Sequence, residues 1–102
     1  MEDAVGPVLR MCDEVELVVR AIHDDNPAGS VEIMDYGAYV RVQRPGFLRL
    51  TRASLERHLG VGFQMSQLES IMSAFAGRIR TSSDEVVWYF RTTNASSGEN
   101  AP

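Results

Sequence analysis

The spacing of apolar positions changes period several times along this chain, and each change marks an element. Val15, Val18, Val19 and Ile22 fall at i, i+3, i+4 and i+7, one stripe of an amphipathic helix. Asp13 is its natural N-cap, and Glu14 and Glu16 suit the positive end of the helix dipole. The helix must stop at Asp25-Asn26-Pro27, because a residue before proline avoids the helical region, and Ala28-Gly29-Ser30 completes the turn. Ahead of it, Val5 to Met11 is apolar but contains Gly6 and Pro7. Proline cannot donate to a strand ladder, so this segment is expected to be an edge strand or an extended arm.

Beyond the helix the period drops to two. Val31 to Asp35 reads as a strand with Val31 and Ile33 on one face, and Gly37 breaks it. Ala38, Val40 and Val42 alternate with Tyr39, Arg41 and Gln43, the pattern of a half-buried strand. Pro45-Gly46 is a turn signal, and Phe47 to Thr51 follows with Leu48 and Leu50 facing one way and Arg49 the other, which predicts a hairpin.

Thr51 caps a short helix through Leu55 and Leu59 that Gly60 ends. Ser66-Gln67-Leu68-Glu69 has capping-box spacing, and Leu68, Ile71, Met72 and Phe75 form an apolar stripe, so a helix is expected from Ser66 until Gly77 stops it. Its end is unusual: Ser73, Ala74, Ala76 and Gly77 are all small and surround one Phe75. Small side chains let another backbone come close. Ile79 sits in a short strand, Ser82 to Glu85 form a turn, and Val86 to Arg91 make the last strand, with Val86, Trp88 and Phe90 as core. Residues 92–102 are small and polar and are expected to be a disordered tail. The order β-α-β-β-β-α-α-β-β has few long crossovers. It predicts one compact α+β domain over residues 1–91, an arm at 1–11, three helices and a mostly antiparallel sheet.

Composition narrows what such a domain can do. A chain of 102 residues buries a real core without staples. Its net charge of −4 argues against nucleic acid, which wants a basic stripe. All ten basic residues are arginine. The lone Cys12 excludes an internal disulfide and fits a reducing compartment. No apolar run approaches the roughly 20 residues of a membrane span, and the acidic start lacks the layout of a signal peptide, so the expected location is the cytoplasm.

Catalytic chemistry is hard to assemble. His23 and His58 lack the Glu-x-x-His spacing of diiron sites, and three Cys and His residues in all fall short of a four-ligand zinc site. Cys12 stands beside Asp13 and Glu14 and not beside a base that would make it a nucleophile. Gly60-Val61-Gly62 lacks the third glycine of a dinucleotide loop and follows a helix rather than a strand. Trp88, Tyr89 and Phe90 lack the basic groove that base stacking needs. Asp24-Asp25 and Asp84-Glu85 read as solvated charge in turns. The residues suggest a protein that acts by touching another protein.

Three ordered segments carry a resemblance. They are Val5 to Arg10; Asp25-Asn26-Pro27 with Val31-Glu32-Ile33 and Ala38 to Val42; and Leu59-Gly60 with Phe63, through Phe75-Ala76-Gly77-Arg78-Ile79. In order and spacing they resemble the small effector proteins, also called coupling or regulatory proteins, of soluble diiron multicomponent monooxygenases. The resemblance is to the toluene-4-monooxygenase effector and, with less likeness, to the phenol hydroxylase and methane monooxygenase regulatory proteins. The resemblance implies a protein with no cofactor and no catalytic group of its own. Such a protein binds the hydroxylase near its diiron centre, works alongside ferredoxin and reductase components, and tunes substrate access, oxygen activation and coupling. It implies that Ser73, Ala74 and Phe75 lie against the hydroxylase, with Ile71, Ala76 and Gly77 beside them. Asn26, Pro27, Val5, Gly6 and Pro7 are further interface candidates. On the residues alone, a small-molecule-binding domain or an interaction module for an unrelated partner remains open.

Overall fold

A computed structural model of the chain describes residues 3–90. Its elements are β1 (Ala4–Arg10), α1 (Val15–Asp25), β2 (Glu32–Asp35), β3 (Tyr39–Pro45), β4 (Phe47–Thr51), α2 (Arg52–Leu59), α3 (Met65–Ile71), β5 (Met72–Ala76), β6 (Arg78–Thr81) and β7 (Glu85–Tyr89). The strands form two sheets, ordered β2-β3-β1-β5 and β4-β7-β6. Every pairing is antiparallel. This is the α+β architecture that the patterning predicts. The final residue of the expected domain, Arg91, and the expected tail at 92–102 lie outside the described residues.

The core lies between the two sheets and α1. Val5, Leu9, Val40 and Val42 from one sheet meet Leu48, Leu50, Val86 and Trp88 from the other, and α1 closes the space with Val15, Val18, Ala21 and Ile22. Period-two reading holds for β3 and β4, where buried residues alternate with exposed or half-buried ones, but the hairpin expected between them does not form, because the turn at Pro45-Gly46 carries the chain from one sheet to the other. It fails at Phe90, which is 43% exposed and lies beyond β7. It also fails at Ile33, because β2 is a sheet edge with only one flank covered.

Four other expectations are corrected. First, β1 is neither an edge nor an arm: it lies inside its sheet, between β3 and β5, with Val5, Gly6 and Pro7 buried. Pro7 is tolerated because the ladder to β3 is interrupted at Gly6 and Pro7 and resumes at Val8. Gly6 has φ +143°, and a Cβ there would stand 2.0 Å from the Val42 carbonyl oxygen. Only glycine allows so close a passage past β3.

Second, the helix expected from Ser66 to Gly77 ends at Ile71, and Met72–Ala76 is a strand, β5. The apolar spacing of Leu68, Ile71, Met72 and Phe75 fits a helix, but a helix this short is marginal alone. Pairing with β1 gives this segment a ladder along one side instead, and tertiary contact overrides local preference. Third, the cap of α3 lies earlier than Ser66. Gln64 is the N-cap, and its backbone N–H donates to the Gln67 side chain at 2.8 Å. Fourth, Asp13 does not cap α1. Glu14 holds that position without a side-chain bond, while the Val15 N–H donates to the Cys12 carbonyl at 3.2 Å. Thr51 does cap α2, accepting from the Ser54 N–H at 3.1 Å, and Gly60 ends it at φ +104°.

Candidate functional site

The residues Ser73, Ala74 and Phe75 come together on β5, and all three are exposed. β5 pairs only with β1 and is the edge of its sheet. The register sets Pro7 opposite Phe75, Val8 opposite Ala74 and Leu9 opposite Met72, so one extra residue, Ser73, bulges out between Ala74 and Met72. The Ser73 hydroxyl donates to the Val8 carbonyl at 3.3 Å and pins that bulge. Residues that pair across a ladder share a face. Ala74 therefore lies on the same side as Val8 and Arg41, while Phe75 lies on the side of Pro7 at the sheet margin. Phe75 remains 43% exposed and stands outside the buried core.

Ile71 and Ala76 flank this edge and are half-buried. Gly77 is the stitch between the two sheets. It has φ +88°, and a Cβ there would meet Val5 Cγ1 at 2.6 Å and the Tyr89 carbonyl oxygen at 2.8 Å. A side chain at this point would push β5 off β1 or β6 off β7. The small residues thus have two uses: Gly77 lets the sheets join, and Ser73, Ala74 and Ala76 leave a low edge beside one aromatic ring.

Other candidates are placed differently. Val5, Gly6 and Pro7 are buried beneath this edge and form its support rather than its surface. Asn26 is 9% exposed and fully committed inside the molecule. Its amide donates to the Ile22 carbonyl at 2.7 Å and the Arg49 carbonyl at 2.8 Å, and its oxygen accepts the Arg49 N–H at 3.1 Å. Pro27 next to it is exposed.

The acidic pair before Asn26 is not merely solvated. Asp25 accepts from the Thr51 N–H at 2.7 Å and the Ser54 hydroxyl at 2.7 Å. Asp24 accepts from Arg57 at 2.8 Å and sits 2.7 Å from His58 Nε2. Those two bonds, His58 first, hold the Asp24 carboxyl below its ordinary value. Asp24, Asp25 and Asn26 together clamp the end of α1 to β4 and α2. The sequence signal was present, since Asx residues at a helix end seek backbone donors, but their partners are about 25 to 35 residues away in the chain.

Sequence reasoning also missed two exposed groups. Tyr36 and Tyr39 stack with ring centroids 4.9 Å apart at the β2–β3 turn. Phe47 on β4 is exposed, and Arg78 and Arg80 on β6 are exposed beside it. Both strands are legible in the sequence, with Arg78 and Arg80 flanking Ile79, but the pairing through β7 that sets them on one face with Phe47 is not.

Among the described residues no His, Cys, Asp and Glu gather in a group of three or more that could hold a metal ion. Cys12 is half-buried against the core. A cleft of about 680 Å³ is lined by Arg49, Arg52, Glu56, Asp84 and Glu85 among others, a charged lining unsuited to an apolar ligand. No described helix is long and apolar enough to cross a membrane.

A model of the MmoB/DmpM family matches residues 3–89. The chain belongs to the MmoB/DmpM family. It is 41% identical over 91 residues to the effector subunit of the alkene monooxygenase system of Xanthobacter autotrophicus (strain ATCC BAA-1158 / Py2), covering 89% of this chain and 90% of that protein. Its fold is similar to a solved phenol hydroxylase–regulatory protein complex, with TM-score 0.77 at 22% identity, covering 86% of this chain and 99% of the matched one. It is also similar to the soluble methane monooxygenase regulatory protein B, with TM-score 0.67 at 20% identity, covering 89% and 67% respectively. As a member of the MmoB/DmpM family the chain is an effector or regulatory component of a multicomponent monooxygenase, an accessory and not a catalytic subunit.

Proposed function

We propose that this effector binds the hydroxylase of a soluble diiron monooxygenase close to its active site. There it tunes substrate access, oxygen activation and the coupling of electron transfer to hydroxylation or epoxidation. Ferredoxin and reductase components supply the electrons, and the system works in the cytoplasm. The observation that carries this reading is the β5 edge: an exposed aromatic between small residues, in a fold whose relatives include a regulatory protein complexed with phenol hydroxylase.

Ser73, Ala74 and Phe75 form the centre of the interface, with Ile71, Ala76 and Gly77 at its margin. Val5, Gly6 and Pro7 hold the strand from beneath, Asn26 braces the turn after α1 from inside, and the exposed Pro27 on that turn is a further contact. A protein without catalytic groups changes a rate only by binding one state of its partner better than another. A differential affinity of roughly 1–3 kcal/mol shifts such an equilibrium about 5- to 150-fold. Phe75 supplies the anchor, since buried aromatics at an interface centre carry a large share of the binding energy.

The test is Phe75→Ala against wild type, with binding to the cognate hydroxylase followed by calorimetry. Because Phe75 is part-exposed at a sheet edge, thermal unfolding should stay cooperative, while affinity should fall by about 2 kcal/mol or more. A variant that binds as tightly as wild type removes Phe75 from the interface.

A further inference from the structure

The β4-β7-β6 sheet has a second face. Its inner side carries Leu48, Leu50, Val86 and Trp88 in the core. The register lines up the outer side in rows, Phe47 with Tyr89 and Arg78, then Arg49 with Val87 and Arg80. Arg49 is neutralised by Glu85 at 2.6 Å. Arg78 and Arg80 make no ion pair with a described carboxylate. The Arg80 guanidinium lies 5.7 Å from the centre of the Tyr89 ring, a cation–π contact that keeps it on the face. Val87 is only 8% exposed on this outer side, flanked by Arg49 and Arg80, whose aliphatic stems can cover it. A groove of about 220 Å³ runs here between Phe47, Arg80, Thr81, Ser82, Glu85 and Val87.

Arg78 and Arg80, like Arg10, Arg41 and Arg44, are paired with no carboxylate among the described residues, and the two together make this one face locally positive in a chain of net charge −4. They are also continuous with the β5 edge, because Gly77 alone separates Ala76 from Arg78. The rows span two strand spacings, about 10 Å, well inside an interface of about 800 Å² per partner.

We propose that this outer face extends the hydroxylase interface and seats on an acidic patch of the hydroxylase, with Arg78 and Arg80 meeting its carboxylates and the groove beside Phe47 receiving one of them. The inference rests on the functional reading above. Its physical role is orientation. The negative charge of the whole chain repels an acidic partner, and a local positive face turns the protein so that β5 arrives correctly.

Stopped-flow association of the effector with the cognate hydroxylase tests it, at low and at physiological salt. Arg78→Glu and Arg80→Glu should each slow association by about tenfold or more at low salt, with a weaker salt dependence and a smaller change in dissociation. Arg20→Glu, the same charge change on the exposed side of α1, should leave the rate within twofold. Circular dichroism melts of all three should match wild type. Unchanged association for both β6 variants, or an equal loss in Arg20→Glu, overturns the proposal while wild-type binding still supports the functional reading. Failure of wild type to bind overturns both. A salt-sensitive dimer in sedimentation that Arg78→Glu dissolves would assign the face to a second copy of the chain and overturn the proposal too.

Discussion

Single residues in this protein are constrained for different physical reasons, and their substitutions separate those reasons. Gly6 is held by backbone geometry alone. Its φ is +143°, and a Cβ added there would lie 2.0 Å from the Val42 carbonyl oxygen, so Gly6→Ala must move β1 away from β3. We expect a loss of about 3 kcal/mol, read as a lower urea midpoint with unchanged slope. Asn26 is held by hydrogen bonds. Asn26→Ala leaves the Arg49 N–H and two carbonyls without their partner, and should cost about 2–3 kcal/mol in the same assay. Pro27→Ala, one residue on and exposed, should change stability by no more than about 0.5 kcal/mol. A near-neutral Asn26→Ala would contradict its structural role and return it to the interface candidates. Phe75 is the contrasting case, a large apolar group that the fold leaves part-exposed.

Elements are legible in the sequence where one physical signal dominates and illegible where two compete. The helical stripe of α1 and the alternation of β3 and β4 each follow from one buried face, and the structure has them where the pattern puts them. Met72–Ala76 satisfies a helical spacing locally, yet becomes a strand because β1 offers it a ladder 65 residues away. No local pattern carries that information. The same blindness places β1 at an edge: Pro7 forbids one ladder bond, and a sequence cannot say that the neighbour strand will skip it. The small-large composition of Ser73 to Phe75 is visible in the sequence, but the element that bears these residues is a strand and not a helix end. The clamp from α1 to α2 is invisible because Asp24 and its partners Arg57 and His58 are close only in space.

That clamp makes a pH prediction. The Asp24 carboxyl is depressed below its ordinary value of 3.8, chiefly by His58 and then by Arg57. A depressed carboxylate contributes stability that is fully present above its unfolded value and is lost as pH falls through the folded one. Asp24 should therefore weaken the α1–α2 contact only below the ordinary carboxylate range. Carbon-detected titration of its side chain should give a midpoint below 3.8, rising toward it in His58→Ala. A midpoint at or above 3.8 in wild type would contradict the contact.

At the scale of the whole molecule, two sheets joined at Gly77 present one low, part-aromatic edge and one arginine-bearing face side by side. Its family places it beside catalytic components rather than among them. A regulatory protein of this kind is expected to change how its partner uses electrons, not to add a reaction of its own. The most direct measurement titrates this protein into its cognate hydroxylase with reductase and ferredoxin, following product formed per NADH consumed. The account predicts a ratio that rises and saturates near one effector per active site, with Phe75→Ala shifting the curve to higher concentration. A flat ratio, with wild-type protein correctly folded and the hydroxylase active, would contradict it.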